Sequence, residues 1–349
     1  MILRIVKNIR NIFSALLVFC IVSSSTTVGQ EIISKKKGFS GYIRLSYGYL
    51  NIRTNSIAKF LNNALSQDPI TSLYDIPSSK NLGILTFPFE LSYTFVPEFT
   101  QVYIGNDLED LLRFDVSQQL GFKQRINKVG IIKVAMLYSA IPTKVWEDPF
   151  IINEFRVETK RTSFGGRITW DMLMFSKFRL QYSYRDIVIS NEQSGNDLKL
   201  TEDKKNDLNR NGGFHSVELL YRFYITTNSL VIPSISFVLD DRKGNAVKKR
   251  IIDFKLTYSI SKNSFTSISN LILGYSKNDA PHPIFGVTQE NIRYGLTSSF
   301  FYKNPWGYSL LGSSPINFVI TLGYYSTDTN INFYMHEAFL AQLGLFTRW

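Results

Sequence analysis

The segment Asp253–Ile260 reads DFKLTYSI and alternates polar with apolar side chains along its whole length. The segments Arg179–Arg185 (RLQYSYR) and Arg113–Leu120 (RFDVSQQL) follow nearly the same alternation. A period of two places every second side chain on the same face of the backbone. The pattern therefore predicts β-strands that have one apolar face and one polar face.

About fourteen segments of this kind follow one another along the chain. They lie near 41–53, 82–95, 100–105, 111–124, 129–141, 155–170, 176–190, 214–225, 230–240, 249–261, 264–276, 289–302, 308–324 and 332–349. The connectors between them alternate between short and long. Short turns at one end and long loops at the other are typical of transmembrane barrels, and an even strand count allows such a barrel to close. We expect an all-β fold, a single closed antiparallel transmembrane β-barrel of about 14 strands (12–16), with short periplasmic turns and long extracellular loops.

The composition agrees with a large folded chain that is rich in aromatic residues. Of the 349 residues, 44% are hydrophobic and 14% are aromatic, and there is one cysteine. These values exclude a disordered protein and a disulfide-stabilised scaffold. Aromatic residues on the apolar parity, such as Tyr182, Tyr184 and Tyr258, would form girdles at the two lipid interfaces. A secreted β-sandwich would explain the alternation, but not the unequal connectors or the aromatic last strand that ends at Trp349.

The N-terminus has the three parts of an export signal. Arg4, Lys7 and Arg10 precede the apolar run Ile12–Val22, and small and polar residues follow. The run is too short for a transmembrane helix, which needs about 20 apolar residues. We expect residues 1–30 to be a signal peptide and residues 31–349 to form the barrel, with 54–80 and 190–213 as long outer loops.

Several motifs resemble an uncharacterised bacterial family, the one catalogued as domain of unknown function 2860. They are Gly38-Phe39-Ser40-Gly41, Val145–Phe150 (VWEDPF), Asp207–Gly212 (DLNRNG), Pro283-Ile284-Phe285 and Thr327–Tyr334 (TDTNINFY). The resemblance covers nearly the whole chain after the signal peptide. It implies an outer-membrane barrel in a Gram-negative bacterium and assigns no activity to any residue.

The polar parity would face the lumen, and its charges are mostly basic. We expect the substrate-binding lumen residues to be Arg44, Arg113, Lys133, Arg179, Arg185, Arg222, Lys255 and Arg293. Further charges share that parity: Lys123, Arg167 and Arg348 among the bases, and Glu90, Asp115, Asp171, Glu218 and Asp253 among the acids. Fourteen strands would enclose a lumen wide enough that side chains alone need not fill it. Such a wall concentrates anions, which predicts a passive channel for small anionic solutes, acidic sugars among them.

Three other functions are open at this point. The charges could pair across neighbouring strands in a structural or surface-interaction barrel without transport. The chain could instead transport an apolar ligand, with the stripe Ile57, Phe60, Leu61, Ala64, Leu65 in the first loop as an entry site, constriction or lid. Enzyme activity is not expected, because His215, His282 and His336 stand beside no recognisable triad.

The segment Asp207–Gly212, followed by Glu218, matches a calcium-loop pattern. The pattern needs a helix on each side, whereas residues 214–223 alternate as a strand, so Glu218 could not reach the ion. Asp207, Asn209 and Asn211 are the candidate calcium ligands, and a tight turn is the competing interpretation.

No other cofactor is expected. The expected partners are membrane lipid and lipopolysaccharide, the barrel-assembly machinery through the last strand, and small anionic solutes; nucleic acid is not expected.

Overall fold

The computed structural model describes residues 33–60, 63–65, 68–106, 117–310 and 314–349. The expected signal peptide, Arg113 and Asp115 lie outside these ranges. The barrel strands are β1 (Gly38–Arg53), β2 (Ser79–Thr86 and Phe89–Val96), β3 (Thr100–Asn106), β4 (Ser117–Ile126), β5 (Gly130–Ser139 and Thr143–Trp146), β6 (Glu158–Asp171), β7 (Phe178–Ile189), β8 (Gly212–Tyr221 and Phe223–Thr226), β9 (Ser229–Arg242), β10 (Lys249–Lys262), β11 (Phe265–Pro281), β12 (Thr288–Tyr302), β13 (Asn317–Thr329) and β14 (His336–Arg348).

Each strand pairs antiparallel with the next, and the last pairs with the first. In the β1–β14 closure, Tyr42 lies opposite Arg348 and Arg53 lies opposite Glu337. The prediction of a closed antiparallel barrel of about 14 strands is confirmed. Closure gives every strand two hydrogen-bonded neighbours, so the sheet has no edge that would need water.

Most interruptions occur where the chain cannot continue the ladder. In β2 the break falls at Phe87-Pro88, and the Pro88 carbonyl still accepts a hydrogen bond from the Arg44 N–H. The predicted strand 308–324 begins only at Asn317. A short hairpin, Ser309–Leu310 with Ser314–Pro315, comes before it. Pro315 has no N–H to donate and so does not extend the barrel ladder.

Turns and loops separate to opposite ends of the barrel. The turns 97–99, 127–129, 172–177, 227–228 and 263–264 lie at the end that also holds Gly38 and Arg348, together with the longer connector 303–316. The opposite end holds the connectors 54–78, 147–157, 190–211, 243–248, 282–287 and 330–335, and residues 107–116 lie outside the described ranges. Among the residues that the structure describes, helical structure is limited to α1 (Glu202–Asn206) and the 3-10 turns Leu173–Phe175 and Asn332–Tyr334. Within the described ranges, no helix has the length and apolar character needed to cross a membrane.

The period-two pattern sorts the side chains between the two faces of the wall. Outward positions carry exposed apolar groups, including Tyr47, Phe122, Phe164, Phe237, Phe254 and Leu343. Inward positions carry polar and charged groups that are largely buried, including Arg44, Lys123, Arg167, Arg185 and Arg222. A wall that is apolar outside and polar inside is the inverse of a soluble protein and matches the pattern of transmembrane barrels.

Candidate functional site

Six outer loops meet over the mouth of the barrel and share an apolar core, which we call the loop core. Its buried members are Leu73, Phe150, Leu208, Ala246, Ile331 and Phe333, and Ile284, Phe285 and Tyr334 pack against them. The Phe150 and Phe333 rings lie 5.2 Å apart between centroids. Aromatic pairs at this spacing contribute attraction beyond their buried area. The loops therefore form a packed cap over the mouth.

His282 is fully buried in the loop core. Its Nε2 lies 2.8 Å from the Tyr334 hydroxyl, and its Nδ1 accepts a hydrogen bond from the Ile284 N–H. The rings of Phe150 and Phe285 lie 5.6 and 4.8 Å from the imidazole. Burial lowers the pKa of His282 to about 4, because the apolar surroundings disfavour the imidazolium. The cap is therefore built around a neutral histidine.

The first loop enters the barrel mouth. Ile57 and Leu65 are buried against the inward side chains Leu50, Ile52 and Ile84. The loop also joins the wall through a bridge between Lys59 and Lys144 of β5. Of the predicted apolar stripe, Leu61 and the Phe60 side chain are not described, whereas Ile57 and Leu65 serve internal packing. The structure therefore places this part of the loop inside the barrel mouth.

The Val145–Phe150 motif attaches a second loop to the cap. Trp146 and Phe150 are both buried, and the Arg156 guanidinium lies over the Trp146 ring at 4.3 Å. Arg210 Nη2 donates hydrogen bonds to the carbonyl oxygens of Trp146 and Glu147. These contacts tie together the loops 147–157 and 190–211.

The wall from β2 to β5 holds a packed group of charges in the lumen. Lys123 Nζ lies 3.0 Å from Glu90 Oε1, and the ammonium groups of Lys123 and Lys133 lie 4.7 and 4.6 Å from the Tyr103 ring centroid. Tyr103 is 1% exposed. Cations on a buried aromatic face gain electrostatic attraction because water is excluded. The packing fills this part of the lumen.

A second packed group lies near the turn end. Asp171 is fully buried and accepts a hydrogen bond from Arg222 at 2.7 Å and one from Arg179 at 3.3 Å. Arg222 lies at the break in β8, and its side chain is 2% exposed. A buried carboxylate held by two guanidinium groups links β6, β7 and β8.

Long inward side chains occupy much of the lumen on the β1–β8 side, although fourteen strands enclose a lumen wide enough that side chains need not fill it. The cause is the length of the arginine and lysine side chains, which cross to neighbouring strands and bury their stems. Of the predicted lumen residues, Arg44, Lys133, Arg179, Arg185 and Arg222 lie on this packed side.

A cavity of about 450 Å³ remains beneath the cap, against β6 and β8–β14. Lys255 and Arg293 are the predicted lumen residues that border it. Neutral polar groups complete much of its wall: Ser234, Ser236, Asn270, Ser276, Gln289, Asn291, Thr297 and Thr327. Thr54, Ser56 and Ile57 of the first loop also contribute. The volume suits a small solute.

The charges at the cavity form ion pairs but retain an excess of bases. Lys255 lies 3.3 Å from Glu218, and Arg293 is paired with Asp253. Asp240 lies between Arg242 and Lys249. With Arg161, five bases and three acids of the described chain line the cavity. The sequence analysis missed Arg161, Arg242 and Lys249, although Arg161 shares the inward parity of Arg167.

The candidate calcium residues lie in the 190–211 loop and act as hydrogen-bond acceptors there. Asn209 Oδ1 accepts from the Asn211 N–H, Asn211 Oδ1 accepts from the Ile189 N–H, and Asp207 Oδ1 accepts from Asn245. Glu218 faces the cavity and pairs with Lys255. No metal-binding group of three or more His, Cys, Asp or Glu occurs in the part of the chain that the structure describes.

The three histidines lie in three separate environments. His215 points outward from β8, and its Nδ1 is 2.9 Å from the Tyr182 hydroxyl. His282 belongs to the loop core, and His336 begins β14 and borders the cavity. The absence of an enzyme activity stays a prediction.

The structure is similar to several solved barrels at low sequence identity. The outer membrane channel DcaP of Acinetobacter baumannii has a TM-score of 0.40 and 9% identity, with 93% of this chain and 99% of that one covered. A deltaS2 mutant of the TodX monoaromatic hydrocarbon channel has a TM-score of 0.41 and 9% identity, with 90% of each chain covered. The outer membrane protein OpdK of Pseudomonas aeruginosa has a TM-score of 0.34 and 10% identity, with 91% and 100% covered.

A search of curated protein sequences found no match. The family described as "Protein of unknown function (DUF2860)" matches residues 38–346. This range runs from the first residue of β1 almost to the end of β14. The match confirms the family resemblance that the sequence motifs indicated. The chain therefore belongs to the DUF2860 family.

Proposed function

We propose that the chain is an outer-membrane channel that admits small anionic solutes by passive diffusion. The observation that carries the proposal is the cavity beneath the cap, where five bases face three acids. A surplus of fixed positive charge inside a low-dielectric wall raises the local concentration of anions. Arginine presents paired N–H groups that suit carboxylates, and neutral hydroxyl and amide groups suit the hydroxyls of a sugar.

Transport of an apolar ligand has less support. Most of the residues that line the cavity carry a hydroxyl, amide or charged group, and an apolar molecule would leave those groups without hydrogen bonds. The apolar groups of the first loop that are described pack on Leu50, Ile52 and Ile84. An acidic sugar fits the wall better, because it would bond to both the cations and the neutral polar groups.

The cap makes passage conditional. The loop core covers the cavity, so a solute reaches Lys255 and Arg293 only when one or more of the six loops move. Loops that pack through a few aromatic contacts open at lower free energy than a barrel wall held by continuous hydrogen bonding. The structure is accordingly assigned to the closed state of the proposed channel.

The outer surface supports the proposed location and partners. The exposed apolar side chains would contact membrane lipid, and exposed bases at the loop end, such as Lys204 and Lys243, would meet lipopolysaccharide phosphates. The last strand, which ends at Arg348 beside the terminal Trp349, would present the chain to the barrel-assembly machinery. After removal of residues 1–30, the outer membrane of a Gram-negative bacterium is the proposed location. A calcium ion at Asp207, Asn209 and Asn211 is not needed for this function.

Uptake of labelled galacturonate and galactose into proteoliposomes tests the proposal, because the two sugars differ little in size and differ in charge. The wild-type channel should admit galacturonate faster. Equal rates, or faster uptake of galactose, would refute anion preference.

A matched pair of variants separates charge from packing. Lys255→Gln and Glu218→Gln break the same 3.3 Å ion pair but change the cavity charge in opposite directions. The first should lower the galacturonate-to-galactose ratio and the second should raise it. Shifts in the same direction would mean that the broken pair acts through structure, and the proposal would lose its electrostatic basis.

A further inference from the structure

Arg44 is a buried cation of the lumen near the turn end, and among the described residues no carboxylate lies within ion-pair distance of it. Arg44 is 6% exposed and lies on the inward face of β1. Its Nε donates to Ser46 Oγ at 2.9 Å, and its Nη2 donates to Thr321 Oγ1 at 2.6 Å. These neutral hydroxyls are its hydrogen-bond acceptors among the described residues, and no described acid lies within ion-pair distance of it. Lys123, Asp171 and Arg222, by contrast, each have a partner of opposite sign.

The backbone near Arg44 leaves room for its side chain to cross over the adjacent strand, β14. Arg44 lies on β1, and Thr321 lies on β13, with β14 between them. Gly344 occupies the crossing point on β14, and a Cβ there would clash with Ser46 Oγ and the Leu45 carbonyl. The glycine therefore leaves the space in which the Arg44 side chain and Ser46 lie over β14.

The hydrogen bonds fix the guanidinium and leave part of it unused. Two of its five N–H groups are committed to Ser46 and Thr321. Thr321 Oγ1 is itself 2.8 Å from Ser299 Oγ, so a small group of hydroxyls holds the arginine in place. The Nη1 amino group and the second N–H of Nη2 have no acceptor in the described part of the chain. They form the end of the fork that binds two oxygens of a carboxylate or phosphate at once.

A buried charge is costly unless it is paired. We infer that Arg44 is a binding site for a small oxyanion, held by the free end of the guanidinium fork beside the hydroxyls of Ser46, Ser299 and Thr321. The site lies below the cap cavity, on the turn side of the lumen. This inference extends the proposed function of an anion channel and rests on it, because Arg44 would be a second binding site for an anion that has passed the cavity.

Thermal unfolding of the purified full barrel in detergent, titrated with sodium selenate, tests the site. Selenate is an oxyanion, and bound ligand raises the unfolding temperature along a saturating curve. The wild type should show such a curve, and Arg44→Gln should lose it. Arg167→Gln removes another buried inward arginine, one that bonds Ser183, and should keep the curve. An identical response in wild type and Arg44→Gln would overturn the inference.

A crystallographic measurement keeps the test decisive if Arg44→Gln does not fold. Wild-type crystals soaked in selenate should show a selenium anomalous peak at Arg44 Nη1 and Nη2, and no peak there would overturn the site. Formate and inorganic phosphate in the same thermal titration distinguish carboxylate from phosphate as the preferred group.

The experiments distinguish a failure of the proposed channel function from a failure of the Arg44 site. A cation-selective channel that still binds selenate at Arg44 would refute the function and keep the site, and an anion-selective channel with no peak would do the reverse.

Discussion

Acid should open the cap through His282. In the closed cap, burial holds the pKa of this histidine at about 4, whereas an exposed histidine in an open loop has a pKa of about 6.5. Because the closed pKa lies below the open pKa, the open state binds more protons between these values. The stability of the closed cap is therefore complete above about pH 6.5 and falls as the pH drops toward 4.

The size of the effect follows from the two pKa values. The closed state should lose about 2 kcal/mol relative to the open state at pH 5, and about 3 kcal/mol at pH 4. The first value corresponds to a roughly 30-fold change in the closed-to-open ratio. The charged groups nearest to the His282–Tyr334 pair include Arg210 and Glu192, which are paired with each other at 2.8 Å. Their ion pair is common to the wild type and the variant.

Planar-bilayer recordings between pH 7 and pH 4.5 provide the assay. The open probability of the wild type should rise as the pH falls. His282→Gln should be nearly insensitive over that range, because its amide can still bond the Tyr334 hydroxyl but does not titrate. The difference between the two proteins isolates the histidine from the carboxylates that both contain. Identical pH responses in wild type and His282→Gln would refute the reasoning.

Two further substitutions test the cap and the packed wall. Phe333→Ala should destabilise the loop core by about 3–5 kcal/mol, because the ring is fully buried against Phe150. Bilayer conductance should rise, while the thermal unfolding temperature of the barrel stays unchanged. Unaltered conductance would contradict the role of the loop core as a cap. Asp171→Asn should destabilise the barrel by about 3–5 kcal/mol, because it leaves Arg222 and Arg179 without their carboxylate. Urea unfolding in lipid vesicles measures that loss. Asp253→Asn, which weakens a more exposed pair at the cavity, should cost less, and equal costs would contradict the role of burial.

The strands could be predicted from the sequence because the signal is local. A strand with lipid on one side and polar side chains on the other must alternate, and the segment Asp253–Ile260 shows the rule over eight residues. The same parity correctly placed Arg185, Arg222 and Lys255 on the inner face. Strand ends were less predictable. The last strand was expected from residue 332, but Asn332–Tyr334 forms a 3-10 turn that carries Phe333 into the loop core.

The cap and the filled lumen could not be read from the chain, because both depend on contacts between distant segments. Phe150 and Phe333 touch across 183 positions of sequence, and nothing local in either loop indicates the other. Arg44 reaches Thr321, which is 277 positions away, over a glycine on the strand between them. Parity gives the direction of a side chain but not whether its charge finds a partner, so the sequence could not distinguish Arg44 from the paired Lys123.

The central claim is that the inward bases make this barrel select anions. The reversal potential of the wild-type channel in a planar bilayer, under a tenfold potassium chloride gradient, measures it most directly. The account predicts a reversal potential whose sign shows chloride carrying more current than potassium. A reversal potential of the opposite sign, or no conductance at any pH from 4.5 to 7, would contradict it.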